Sequence, residues 1–223
     1  DRAGEGNLDI WMQQVGGGSL IRLTQHPADD REPSFSPDGT KIAFRSERDG
    51  GGIYVMPALG GAEQRIAEKG RSPRFSPDGK WIAYWVGDLS AFSRNRIYVV
   101  SLDGGQPRQL QPEFDTAYSP LWSPDGKRLL FAGRPRPAGP GAPAHDWWVT
   151  PLEGGKATPT GAGPLLERHG VFPHRRDSGV WLGDRLVFSA AGERDARSRV
   201  AIYSASLWQL RLSPRTWQAE GPP

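Results

Sequence analysis

Ser36-Pro37-Asp38-Gly39 is the stretch that decides the fold, because the same four residues return at 76–79 and at 123–126. The copies begin at residues 36, 76 and 123, so the period is 40 and then 47 residues. Each copy follows an aromatic residue, precedes an apolar segment and is closed further on by a glycine pair. The aromatic residues are Phe35, Phe75 and Trp122, the apolar segments are 41–44, 81–84 and 128–131, and the glycine pairs are 60–61, 104–105 and 154–155.

The repeated tetrapeptide has the chemistry of a tight turn. Proline presets φ at the first corner, aspartate bonds to nearby backbone, and glycine accepts a positive φ. We therefore predict that it joins strands A and B of one unit, and that the glycine pair joins strands C and D. Four strands in about 40–45 residues is the period of a β-propeller blade, and blades must stack because one such sheet cannot bury both of its faces.

The predicted fold class is all-β: a β-propeller of four-stranded antiparallel blades, incomplete, with about four blades plus a partial one. We expect a single β-propeller region over residues 1–223. Its parts are a partial blade at 1–26, blades at about 27–66, 67–110 and 111–158, and a degenerate blade at 159–223.

The two ends of the chain fit the repeat least well. Asp9-Ile10-Trp11 predicts a C strand and 20–23 a D strand, whereas 207–210 predicts the C strand of the degenerate blade. Either 170–172 or 180–182 could supply its strand A, and no convincing strand D follows Trp217. Because both ends then supply a C strand, we expect the chain to be part of a longer propeller.

These motifs resemble the TolB-type, WD-repeat-like propeller family, whose blades carry an aromatic residue, Ser-Pro-Asp-Gly, an apolar strand, an Asp-Ile-Trp/Tyr strand and a glycine pair. The resemblance covers nearly the whole chain and implies a bacterial, non-catalytic module that binds a protein or a ligand. Such a module would serve as an envelope scaffold or as a sensor region fused to a kinase or winged-helix regulator, and a periplasmic or other extracytoplasmic location is implied. The alternative is the substrate-gating propeller of a prolyl-oligopeptidase-like serine peptidase whose catalytic domain is not in this chain.

The long connections between strands B and C, and between blades, are predicted to share one face, where binding usually occurs on a rigid scaffold. Arg94, Arg96, Arg134 and Arg136 are the candidate binding residues in these connections, and a third basic group follows at Arg194, Arg197 and Arg199. Arginine forks suit an acidic protein surface or a small anionic ligand. The alternative is that these arginines only keep the loops soluble.

No catalytic, cofactor or metal residues are predicted. The chain lacks a Gly-x-Ser-x-Gly elbow, a His-Glu-x-x-His motif and a phosphate-binding glycine loop, and without cysteine it has no disulfide or thiolate site. Its histidines, His26, His145, His169 and His174, have no evident third ligand, and Asp38, Asp78 and Asp125 are explained as turn residues. We expect no nucleic-acid partner, since the basic residues do not alternate with aromatics, and no membrane insertion by this segment, since no apolar run approaches about 20 residues.

Overall fold

The computed structural model describes residues 6–88, 94–136, 145–173, 179–191 and 205–223. Its strands are β1 (Trp11–Met12), β2 (Ile21–Arg22), β3 (Asp30–Phe35), β4 (Lys41–Ser46), β5 (Gly52–Pro57), β6 (Gln64–Ala67), β7 (Arg71–Phe75), β8 (Trp81–Val86), β9 (Arg96–Ser101), β10 (Arg108–Leu110), β11 (Phe114–Trp122), β12 (Arg128–Pro135), β13 (Asp146–Pro151), β14 (Thr158–Pro159), β15 (Phe172–Pro173), β16 (Val180–Leu182), β17 (Arg185–Ala191), β18 (Ala205–Leu212) and β19 (Ala219–Glu220). A 3₁₀ turn (Arg48–Gly50) and the helix α1 (Ala162–Arg168) complete the elements.

The strands form sheets in the order in which they follow one another along the chain. β1 and β2 make a two-stranded sheet, β3–β6 make blade 1, β7–β10 make blade 2, β11–β14 make blade 3, and β15–β19 make blade 4. Blades 1 to 3 are four-stranded, and their strands run A to D from first to last. The predicted fold class, an incomplete β-propeller of four-stranded antiparallel blades, is confirmed.

The repeated turn closes the hairpin between strands A and B as predicted. The amide N–H of Gly39 donates to the carbonyl of Ser36 at 2.9 Å, and Asp38 Oδ1 accepts from Ser36 Oγ at 2.5 Å and from the Thr40 amide at 3.0 Å. The turns at 76–79 and 123–126 repeat this pattern. The hydrogen bond from Ser36, followed by those from Thr40, lowers the pKa of Asp38 to about 2. The three aspartates are therefore turn residues.

A second repeated feature, missed from the sequence, is a bulge in strand A. Glu32, Ser72 and Ser119 have φ of 56°, 49° and 51°, and a shift in strand pairing accompanies each. Each residue directly precedes a proline, which normally disfavours such a conformation. In blades 1 and 2 the bulges are joined, because Glu32 Oε2 accepts from the Ser72 amide at 2.5 Å and lies 3.4 Å from its hydroxyl.

Contacts divide the chain into two compact units, Asp1–Val86 with Tyr98–Arg108, and Gly87–Ile97 with Gln109–Pro223. In the first unit β4 buries both faces: Ile42 and Phe44 join a core with the two-stranded sheet, and Ala43 joins another with blade 2. This follows from the alternation of side chains along a strand. In the second unit one core joins blades 3 and 4 and includes Ala162 and Leu166 of α1.

Blade 4 corrects the expectation for the C-terminal segment. Both candidate segments, 170–172 and 180–182, contribute to strand A, because β15 and β16 pair with different parts of β17. The prediction that no strand D follows Trp217 was wrong: β19 pairs with β18, with Leu212 opposite Ala219 and Arg211 opposite Glu220. A turn in which the Trp217 amide donates to the Ser213 carbonyl at 2.9 Å reverses the chain. The strand has only two residues, too few to show alternation.

Candidate binding site

The four candidate arginines meet at Asp115 in the second unit. Arg134 Nη2 forms an ion pair with Asp115 Oδ2, and Arg136 Nε lies 3.9 Å from Asp115 Oδ1. The carbonyl oxygen of the same residue accepts from Arg96 Nη1 at 2.8 Å and from the Arg94 amide at 2.9 Å. The structure therefore brings all four predicted residues together around an aspartate that the sequence analysis did not single out.

Three segments supply the site. Arg96 begins β9 and Arg94 lies two residues before it, whereas Asp115 is the second residue of β11. Arg134 is the last residue but one of β12, and Arg136 directly follows that strand. A shift in pairing between Phe114 and Thr116 takes Asp115 out of the regular ladder. Backbone hydrogen bonds fix the segments, from the Arg136 amide to the Glu113 carbonyl at 3.0 Å and from the Ala117 amide to the Asn95 carbonyl at 2.9 Å.

Gly133 sets how closely β12 approaches β11 beside the site. A Cβ atom at this position would lie 2.7 Å from the carbonyl oxygen of Thr116, so any side chain would push the strands apart. The indole N–H of Trp148 donates to the Gly133 carbonyl at 3.0 Å and holds this part of the strand. The guanidinium of Arg134 is thus carried by backbone that is fixed on both sides.

The site is cationic and open to solvent. The hydrogen bond from Arg134 lowers the pKa of Asp115, burial acts in the opposite direction, and the charges of Arg134, Arg136 and Arg96 lower it further. The side chains of Arg134 and Arg136 remain 36% and 57% exposed, and Arg94 is exposed as well. The ionised carboxylate of Asp115 thus lies beside the guanidinium groups of Arg134 and Arg136, whereas Arg96 and the Arg94 amide donate to the backbone carbonyl of the same residue.

A buried hydroxyl adjoins the arginines. Thr116 is 1% exposed, and its Oγ1 makes no hydrogen bond within the part of the chain that the structure describes. Thr116 is directly opposite Arg134 in the pairing of β11 with β12, so both side chains stand on the same face of the two strands. Within the described ranges, the Thr116 hydroxyl is therefore a buried polar group without a hydrogen-bond partner.

Asp115 could have been found by counting from the turn. Ser123 and Arg128 pair across the turn, and Asp115 and Arg136 each lie eight residues away from that pair. Residues equally far from such a pair come to lie beside each other in a hairpin, which places the carboxylate next to a guanidinium. The bulge between Tyr118 and Leu121 then shifts the pairing so that Arg134 is opposite Thr116, next to Asp115.

The sequence analysis also singled out a third group of arginines and four histidines. Arg194, Arg197, Arg199 and His174 lie outside the described residues. His26 Nδ1 accepts from the Ala28 amide at 3.0 Å, His145 Nε2 lies 3.4 Å from the Tyr118 hydroxyl, and His169 follows the last residue of α1. Within the described ranges no three His, Asp or Glu side chains gather into a metal-binding group.

The described helix α1 has seven residues, and no helix in the described part of the chain is long and apolar enough to cross a membrane.

Known proteins resemble this chain at the level of both sequence and fold. The TolB beta propeller domain profile matches residues 2–93. Tricorn protease homolog 1 of Streptomyces coelicolor is 27% identical over 208 residues, which cover 88% of this chain and 18% of that protein. The Tol-Pal system protein TolB of Francisella tularensis is 32% identical over 132 residues, 56% of this chain and 30% of that protein. This chain therefore spans less than a third of the length of either relative.

The solved structure of a putative TolB from Agrobacterium tumefaciens superposes with a TM-score of 0.57 at 21% identity, covering 86% of this chain and 62% of that one. This likeness supports the fold. Together with the four-stranded blades and the three Ser-Pro-Asp-Gly turns, these matches show that residues 2–93 carry a TolB beta propeller domain and support a TolB-type β-propeller fold for the chain.

Proposed function

We propose that this chain is a non-catalytic binding module, and that it docks an acidic protein surface on Arg94, Arg96, Arg134 and Arg136. The observation that carries the proposal is the convergence of these four residues on Asp115 with three of the side chains still open to solvent. Guanidinium groups bind carboxylates through paired hydrogen bonds, and complementary charge speeds association and selects partners.

The arrangement of the blades supports this role. The arginines stand at strand ends whose backbone is hydrogen-bonded on both sides, so the cations are presented by a rigid frame. The resemblance to TolB-type propellers, which implies a module that binds proteins in the bacterial envelope, favours a protein partner over a small anion.

A labelled decaglutamate peptide tests the proposal by fluorescence anisotropy. We expect the double variant Arg134→Glu with Arg136→Glu to bind it about tenfold more weakly or worse, because both forks are lost and the local charge is reversed. The matched control is Arg185→Glu with Arg211→Glu, which reverses two exposed arginines that flank another aspartate, Asp184. Equal loss in both double variants would show general charge attraction and contradict the proposal.

Pyrophosphate as a competitor separates the two kinds of anionic partner. A peptide held at several arginines should resist displacement until the competitor is in large excess. If pyrophosphate binds more tightly than the peptide, a small anionic ligand replaces the protein partner in the proposal.

A second candidate function is a propeller that admits substrates to a serine peptidase. Its support is the 27% identity to tricorn protease homolog 1 over 88% of this chain. The test is the full-length coding sequence: a Gly-x-Ser-x-Gly elbow in an α/β-hydrolase segment, with peptidase activity lost on changing its serine, would favour this role. A kinase or winged-helix segment in its place would favour the sensor module.

A further inference from the structure

We propose that Asp115 is a built-in stand-in for the partner's carboxylate, and that a Glu or Asp side chain of the partner takes its place on Arg134 and Arg136. This inference rests on the proposed function, because it names the group that the arginines receive. The site is then autoinhibited, because in the free protein Asp115 pairs with Arg134 and Arg136 until a carboxylate of the partner displaces it.

The carboxylate of Asp115 already shows which chemical group Arg134 and Arg136 bind. Both oxygens of one carboxylate are engaged, Oδ2 by Arg134 and Oδ1 by Arg136 at 3.9 Å. An incoming aspartate or glutamate would present the same pair of oxygens. Because both arginine side chains are partly exposed, it can approach them from solvent without opening the core.

Exchange needs little movement of the chain. The backbone of Asp115 is held independently of its carboxylate, since its carbonyl accepts from Arg96 and from the Arg94 amide. Its side chain is 27% exposed. Rotation of that side chain would therefore release Arg134 and Arg136 while the strands stay in place.

The decisive experiment measures decaglutamate binding to Asp115→Asn, with Asp184→Asn as the matched control. Asp184 also stands between two arginines, Arg211 Nε at 2.7 Å and Arg185 Nε at 3.9 Å, so both variants remove one negative charge of the same kind. We expect Asp115→Asn to tighten binding about tenfold, because the internal competitor is gone, and Asp184→Asn to change it less than about twofold.

Asp115→Ala is the second variant, in case asparagine keeps the arginines occupied through its amide oxygen. Thermal unfolding first establishes that each variant is folded. Unchanged or weaker binding in folded Asp115→Asn and Asp115→Ala overturns the inference. If the Arg134→Glu and Arg136→Glu double variant still loses binding, the docking function survives that result, whereas binding that survives charge reversal overturns the docking function itself.

Discussion

At the scale of single residues, Asp38 stabilises its turn as an ionised acceptor of hydrogen bonds from Ser36 and Thr40. These bonds hold its folded-state pKa at about 2, below the ordinary value of 3.8. Because the pKa of Asp38 is lower in the folded state, this carboxylate contributes its full stabilisation when the pH is above its unfolded-state pKa. The stabilisation is lost as the pH falls through the folded-state pKa.

We therefore expect Asp38→Asn to lower the melting temperature at pH 7, and the difference from the parent protein to vanish as the pH falls from about 4 to about 2. Thermal unfolding followed by circular dichroism across this pH range measures both. Glu153→Gln, which removes an exposed carboxylate from a C–D turn, is the control. A difference that persists unchanged at pH 2 would argue against the hydrogen-bonded carboxylate as the cause.

The residues of the binding site show the limit of sequence reasoning at this scale. The four arginines were predicted because loops that carry basic residues are visible in the sequence. Asp115 was not, because its ion pair with Arg134 depends on bulges in β11 that the sequence analysis did not predict. The burial of the Thr116 hydroxyl likewise depends on packing that no local pattern records.

At the scale of elements, the first backbone amides of α1 donate hydrogen bonds to a carboxylate that is distant in the sequence. Gly161 at the start of the helix has no side chain that could cap it, and Asp146 from β13 accepts from the Gly161 and Gly163 amides at 2.8 Å each. A Cβ at Gly163 would lie 2.3 Å from the His145 carbonyl, so only glycine allows this approach. Burial raises the pKa of Asp146, while these hydrogen bonds act against the rise.

We expect Asp146→Ala to lower the free energy of unfolding by about 3 kcal/mol, because buried amide groups lose their acceptor. Asp146→Asn should lose about half as much, since its amide oxygen can still accept. Urea unfolding monitored by tryptophan fluorescence gives both values. The idea fails if alanine and asparagine are equally destabilising or if neither differs from the parent protein.

Helix α1 could not be predicted, because Gly163 and Pro164 disfavour a helix and its cap lies 15 residues away in the sequence. Strands A and B of blades 1 to 3 could be predicted, since each is fixed by the turn between them. β19 and the divided strand A of blade 4 were missed for a related reason. Strands of two or three residues take their position from β17 and β18 rather than from their own sequence.

At the scale of the whole molecule, stability depends on contacts between neighbouring blades, as in other repeat proteins. Glu32 makes such a contact, because its carboxylate spans from blade 1 to the Ser72 amide in blade 2. We expect Glu32→Ala to lower the free energy of unfolding by about 1–3 kcal/mol, the cost of leaving that amide without its charged acceptor. Glu68→Ala, at an exposed position of the same unit, should change it by less than about 0.5 kcal/mol.

The charge of the binding site also has a consequence for the whole chain in solution. Docking on exposed arginines should weaken with ionic strength, so we expect decaglutamate affinity to fall about fivefold or more between 50 and 300 mM NaCl. Anisotropy titrations at several salt concentrations measure this, and the Arg134→Glu with Arg136→Glu variant should show a shallower dependence. Affinity that does not respond to salt would point to apolar contacts instead.

The Ser-Pro-Asp-Gly turns also bear on the order in which the chain folds. Each turn closes a loop of a few residues, from Ser36 to Lys41 in blade 1, and such hairpins form within microseconds. The Glu32–Ser72 contact joins residues 40 apart and must wait for both hairpins. During synthesis, each blade can therefore form its A–B hairpin before the next blade has left the ribosome.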